Sequence, residues 1–219
     1  MFYVWAGAGI VGLLLQILVV RVMLRGAYRR YGVLFGYTLV LFVTTAIEAA
    51  AFFWPRYAAI QSTDYWIFDS LRQVFLYAVV ISLIFSASDH SSKRASFGRL
   101  LILGSVLFAA LSLYFTYGHV FDRWMTRFSR NVGFLAVILN LVLWATLLKH
   151  RRPDQILLLV SGGLGIQMAG KAIGHSLRQL SRSTVTTGDL VIVLSHLLCL
   201  YIWWQAFRKP SERPAEIPE

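Results

Sequence analysis

Glu48, Arg72, Lys171 and His196 are ionisable residues set inside long apolar runs of a 219-residue chain. A carboxylate or imidazole so placed can act as a general base. A guanidinium or ammonium can hold a phosphate, a carboxylate or a developing oxyanion. Charges inside a bilayer are expensive, so they mark ligand sites, proton paths or fixed ion pairs. The four share a depth. Glu48 stands seven residues before Pro55, Arg72 six after Trp66, Lys171 seven before Arg178 and His196 seven after Asp189. With a helical rise of about 1.5 Å per residue, each lies roughly 10 Å below the same surface. Tyr114 reaches that level, and Asp69 and His175 lie nearby, closer to the surface.

Helical period sorts these residues onto faces. Tyr37, Thr44 and Glu48 share a stripe, as do Asp69, Arg72, Gln73 and Tyr77. So do Gln167, Lys171, His175 and Arg178, and then Asp189, His196 and Trp203. Side chains three, four or seven apart lie on one side of a helix. Turned inward, these faces would enclose a polar chamber open to the outside. Glu48, Asp69, Arg72, Tyr114, Lys171, His175 and His196 are then its ligand-binding residues. A plainer use is internal pairing, Glu48 with Lys171 and Asp69 with Arg72, which sets helix register without binding anything. Asp69 stands only about four residues inside its run, and His175 lies close to headgroup level.

The elements that must position them are apolar helices. Hydrophobic residues make up 58% of the chain and charged residues only 14%. That excludes a disordered chain, a small disulfide scaffold and a water-soluble globule. A bilayer core of about 30 Å needs roughly 20 apolar residues per helix. Seven runs qualify: Phe2–Leu24, Val33–Trp54, Tyr65–Ala87, Leu100–Tyr117, Asn131–Leu148, Ile156–Leu177 and Leu190–Phe207. The reading is an all-α bundle of seven transmembrane helices over residues 1–208. Residues 209–219, with three prolines, form a disordered cytoplasmic tail. Twelve lysines and arginines fall at one set of helix ends and six at the other. The positive-inside rule puts the N-terminus outside and the C-terminus in the cytoplasm, a rule shared by several membranes, of which a bacterial inner (plasma) membrane is the expected one.

The net charge of +11 is spread through short loops. That pattern sets topology and does not read nucleic acid. Outer arginines Arg123, Arg127, Arg130, Arg178 and Arg182 could attract an anionic ligand or headgroup, or simply be solvated. The sixth run carries Gly162, Gly163, Gly165, Gly170 and Gly174. Gly170-x-x-x-Gly174 lets helices approach closely. A hinge is the other use of so many glycines. The single Cys199 reads as a buried structural thiol.

Cofactor chemistry finds little footing, and none is expected. The last run has no lysine for a retinal Schiff base. The five histidines make no H-x-x-x-H pair in a late run. His175 and His196 differ in depth, which disfavours haem. A zinc site from them with Glu48 or Asp69 has only a weak signal, so no metal is expected. The leading functional reading is a sensory or regulatory module with a polar ligand pocket in its outer half. A membrane or cytoplasmic signalling partner would read the sixth helix. The alternative is an enzyme acting on a lipid or lipid-linked substrate at the outer leaflet, with Glu48 or His196 as base. A transporter or a structural membrane subunit ranks below both.

Overall fold

The computed structural model describes residues 2–53, 61–87, 134–145, 147–148 and 154–208. Every element among them is helical: α1 (Phe2–Val22), α2 (Gly32–Phe53), α3 (Gln61–Ala87), α4 (Phe134–Ala145), α5 (Gln155–Leu180) and α6 (Val185–Arg208). Five stretches are long and apolar enough to cross a membrane, and α4 is a shorter apolar helix. Large apolar side chains such as Ile10, Leu14, Val43, Val74 and Leu194 are exposed along them. Outward-facing apolar stripes of this kind are what acyl chains require. The chain is therefore built as a membrane protein. The fourth run, Leu100–Tyr117, and the tail 209–219 lie outside the described residues, as does Tyr114.

Local chemistry explains the helix ends. α1 runs on through a π-helical turn, Met23–Ala27, where Gly26 adopts φ 136°. A residue with a Cβ rarely adopts that backbone, so glycine permits the break. A short turn over Tyr28–Arg30 follows, and α2 starts at Gly32. At the start of α5 the Asp154 carboxylate accepts from the backbone N–H groups of Ile156 and Leu157 at 3.0 and 3.4 Å. This is an N-cap, favoured further by the helix dipole. Arg30 donates to the same carboxylate at 2.7 Å, and Tyr31 donates to it at 3.3 Å. The ring of Tyr31 also meets Phe207 edge-on at 5.7 Å. Thus the ends of α1 and α6 and the starts of α2 and α5 gather at one end of the bundle.

The opposite end turns more tightly than the apolar runs suggest. Helix α6 begins at Val185, five residues before the apolar run at Leu190. Only Ser181 and a 3-10 turn, Arg182–Thr184, separate it from α5. Thr184 closes the turn by donating to the Leu177 and Ser181 carbonyls at 2.6 and 2.8 Å. The polar first turn of α6 is stable because Gly188 packs backbone to backbone on Gly174. Asp189 therefore lies inside a helix and not in a loop. α3 likewise starts at Gln61, so Asp69 sits eight residues into its helix, deeper than its apolar run indicates.

Among the described helices, α5 and α6 form the tightest contact. A Cβ on Gly170 would overlap the Ser195 side chain, and one on Gly174 would overlap Ile192 and stand 2.6 Å from the Gly188 carbonyl. A Cβ on Gly163 would come within 2.9 Å of the Trp203 indole nitrogen. That nitrogen donates to the Val160 carbonyl at 3.1 Å. The glycines of α5 are thus packing positions, and the helix runs unbroken across them. Gly162 and Gly165 face another neighbour, α4, through Trp144 and Asn140. The Asn140 amide donates to the Ser161 carbonyl at 3.2 Å.

Candidate functional site

The polar residues inside the helices form two connected groups. In the first, α3 presents Asp69 and Arg72 one turn apart. Arg72 Nη2 donates to Glu48 Oε2 at 2.8 Å, and Arg72 Nε donates to Thr44 Oγ1 at 2.7 Å. Both acceptors lie on α2, one turn apart. The Thr44 hydroxyl proton goes to the Val40 carbonyl at 2.7 Å, which leaves its lone pairs for the guanidinium. Arg72 is thereby held by two of its edges, a geometry lysine could not match. Its side chain is 16% exposed and that of Glu48 33%, so the pair is largely withdrawn from surroundings.

Asp69 faces the other way, toward α5. Its Oδ1 stands 3.7 Å from Lys171 Nζ. That is an ion pair beyond hydrogen-bond range. The pairing thus differs from the one the sequence suggests. Depth matching joins Glu48 to Lys171 and Asp69 to Arg72, whereas the structure joins Glu48 to Arg72 and Asp69 to Lys171. The physical reason is lateral. α3 lies against both α2 and α5, so each of its two charged residues meets a different neighbour. A third pair, Arg178 with Asp189, links the facing ends of α5 and α6.

The second group is neutral and more deeply buried. His196 on α6 lies between two glutamine amides. Its Nε2 is 3.5 Å from Gln16 Nε2 on α1, and its Nδ1 is 3.0 Å from Gln167 Nε2 on α5. Gln167 also donates to the Tyr37 hydroxyl on α2 at 3.4 Å, and Gln16 donates to Thr45 Oγ1 at 3.3 Å. Gln16 is fully buried, Gln167 and Tyr37 nearly so. A neutral imidazole carries one N–H and one lone pair. It can accept from only one of these amides and must donate to the oxygen of the other. The buried Oε1 atoms of Gln16 and Gln167 are the available acceptors, since neither has a partner among the described residues. His196 tautomer and glutamine orientation are therefore coupled across four helices.

These two groups adjoin through α5, where Gln167 and Lys171 are one turn apart. Of the seven site residues read from sequence, Glu48, Asp69, Arg72 and Lys171 join in ion pairs around α3. His196 belongs to the neutral group. His175 is half-buried on α5, one turn from Lys171 and from Arg178, with no hydrogen bond among the described residues. Tyr114 lies outside the described residues. Gln16 and Thr45 were not evident as site residues. Gln16 is the one amide within the apolar run Phe2–Leu24, and that isolation was its signal. No group of three His, Cys, Asp or Glu side chains able to hold a metal occurs among the described residues.

Comparison with protein-family models, with curated proteins and with solved structures finds no match. Function has to be read from the side chains themselves.

Proposed function

We propose that the chain is a membrane receptor or regulatory module whose polar groups bind an anionic ligand at Lys171. One observation carries this reading. The Lys171 ammonium stands 3.7 Å from Asp69 and makes no hydrogen bond among the described residues. An ammonium has three donors. A carboxylate or phosphate reaching it would supply the missing acceptors. Binding would draw Lys171 relative to Asp69, and so move α5 relative to α3. Helix α6 would follow, because it is locked to α5 through Gly170 and Gly174. A ligand shifts an equilibrium only by its differential affinity for the two arrangements. The loosely paired lysine offers that difference.

Binding is favoured over turnover because each candidate base already has a protein partner, Glu48 through Oε2 alone, its buried Oε1 having no hydrogen-bond partner among the described residues. Glu48 is held by Arg72, and His196 is enclosed by two amides. The pocket is proposed to open toward the outside of a bacterial inner membrane, with a signalling partner reading α5 and α6. Seven spans complete this reading. α3 ends at the Arg30 end of the bundle. α4 approaches that end, since a short connection joins it to α5. The run Leu100–Tyr117, outside the described residues, is proposed to supply one further crossing.

Native mass spectrometry of the gently purified protein tests the proposal. A stoichiometric anionic small molecule or lipid on the wild type, lost in Lys171→Met, supports it. A load on Lys171→Met and Glu48→Gln equal to that on the wild type, or a wild type that never carries such a species, overturns it.

A further inference from the structure

We infer that the Arg30 end of the bundle carries a second, independent surface, which binds anionic phospholipid headgroups through Arg25, Arg29 and Arg208. Exposed arginines crowd the helix ends gathered there, Arg25, Arg29, Arg30 and Arg208 among them. The described residues bring one carboxylate to them, Asp154, and it is already occupied. It takes a hydrogen bond from Arg30 at 2.7 Å, one from Tyr31, and those of its own helix start. Arg25, Arg29 and Arg208 have no carboxylate partner among the described residues.

Two of the three stand beside aromatic rings, Arg208 over one and Arg29 at the hydroxyl edge of another. The Arg29 guanidinium lies 5.9 Å from the Tyr28 ring centre, and its Nε donates to the Tyr28 hydroxyl at 3.2 Å. The Arg208 guanidinium lies 5.0 Å from the Trp204 ring centre. A guanidinium resting on a ring is held by its face and keeps N–H edges for a bidentate oxyanion. The Tyr31–Phe207 ring contact holds α2's start beside α6's end. Arg29 is two residues from Tyr31, and Arg208 directly follows Phe207. The two cation–ring pairs therefore stand on adjacent helix ends.

What lies next along the helices selects a lipid over a free anion. Leu24, Leu198 and Tyr201 are exposed at 56%, 47% and 46%. Polar arginines at the helix ends thus give way to exposed apolar side chains further in. A headgroup phosphate on the arginines would continue into acyl chains along those residues. Each arginine near an anionic leaflet contributes about fivefold in partition.

Spin-labelled lipids provide the test, with the full chain in phosphatidylcholine vesicles containing a minor fraction of phosphatidylglycerol. Labelled phosphatidylglycerol is expected to be immobilised at the protein in preference to labelled phosphatidylcholine. Arg29→Gln/Arg208→Gln should lose at least tenfold of that preference, and Arg29→Lys/Arg208→Lys should keep most of the charge-driven part. Equal immobilisation of the two lipids by the wild type, or an unchanged preference in the glutamine variant, overturns the inference. If the glutamine variant does not fold, rising salt on the wild type replaces it: a salt-independent preference is then the overturning result. The readout does not involve Lys171, so it stands or falls apart from the receptor reading.

Discussion

Asp69 and Arg72, one turn apart on α3, reach to different helices: Arg72 binds Glu48 on α2 at 2.8 Å, and Asp69 faces Lys171 on α5 at 3.7 Å. α3 is thereby the electrostatic link between the α2 and α5 sides of the bundle. The tight pair and the loose pair have different consequences.

Breaking the tight pair from one side strands a charge. Removing one partner of a fully buried pair costs about 3–5 kcal/mol. Glu48 and Arg72 keep part of their exposure, so Arg72→Met should cost about 1–3 kcal/mol. Glu48→Gln/Arg72→Met should recover part of that loss, because no charge is left alone. Thermal unfolding in micelles measures both. A double variant less stable than Arg72→Met would contradict the pairing.

Close packing of α5 on α6 makes Gly170 intolerant of bulk. Overpacking a filled contact costs about 1–3 kcal/mol. Gly170→Ala should destabilise by that amount, and Ser195→Gly in the same chain should relieve it, since the new methyl overlaps the Ser195 side chain. The coupling is read from a double-mutant cycle. Additive losses would mean the helices part rather than repack.

His196→Leu should leave the Gln16 and Gln167 amides without their shared partner. Each buried polar group so stranded costs about 1–3 kcal/mol. Nitrogen NMR of the wild type should show a neutral ring with one protonated nitrogen. Gln16→Leu removes one neighbour and should leave the proton placed by Gln167 alone. A ring protonated on both nitrogens at neutral pH would refute the amide–imidazole–amide chain.

Alkaline stability should depend on Tyr31. Burial, and then the charge of Asp154, push its phenol up from about 10 to about 12. The folded state therefore holds the proton over a range where the unfolded state has released it. Stability should be level below about pH 10 and fall as pH rises through about 12. In Tyr31→Phe, chemical unfolding followed across this range should lose that component of the slope.

The sequence by itself determined the helical class, the membrane-spanning lengths of five described helices, and the residues that carry charge inside them. Those features depend on local quantities: the length of an apolar run, the 3.6-residue period and the cost of burying charge. The Gly170-x-x-x-Gly174 contact was legible for the same reason, because that spacing alone puts both glycines on one side of α5. Tertiary structure alone decided which charges meet. Depth can be counted along each helix, but lateral neighbours cannot, so Arg72 found Glu48 where Asp69 lay nearer in sequence. It also brought Gln16 to His196, 180 residues away. It extended α6 back to Val185, where the polar first turn is stabilised by contacts with α5, the Gly174–Gly188 approach and the Arg178–Asp189 ion pair.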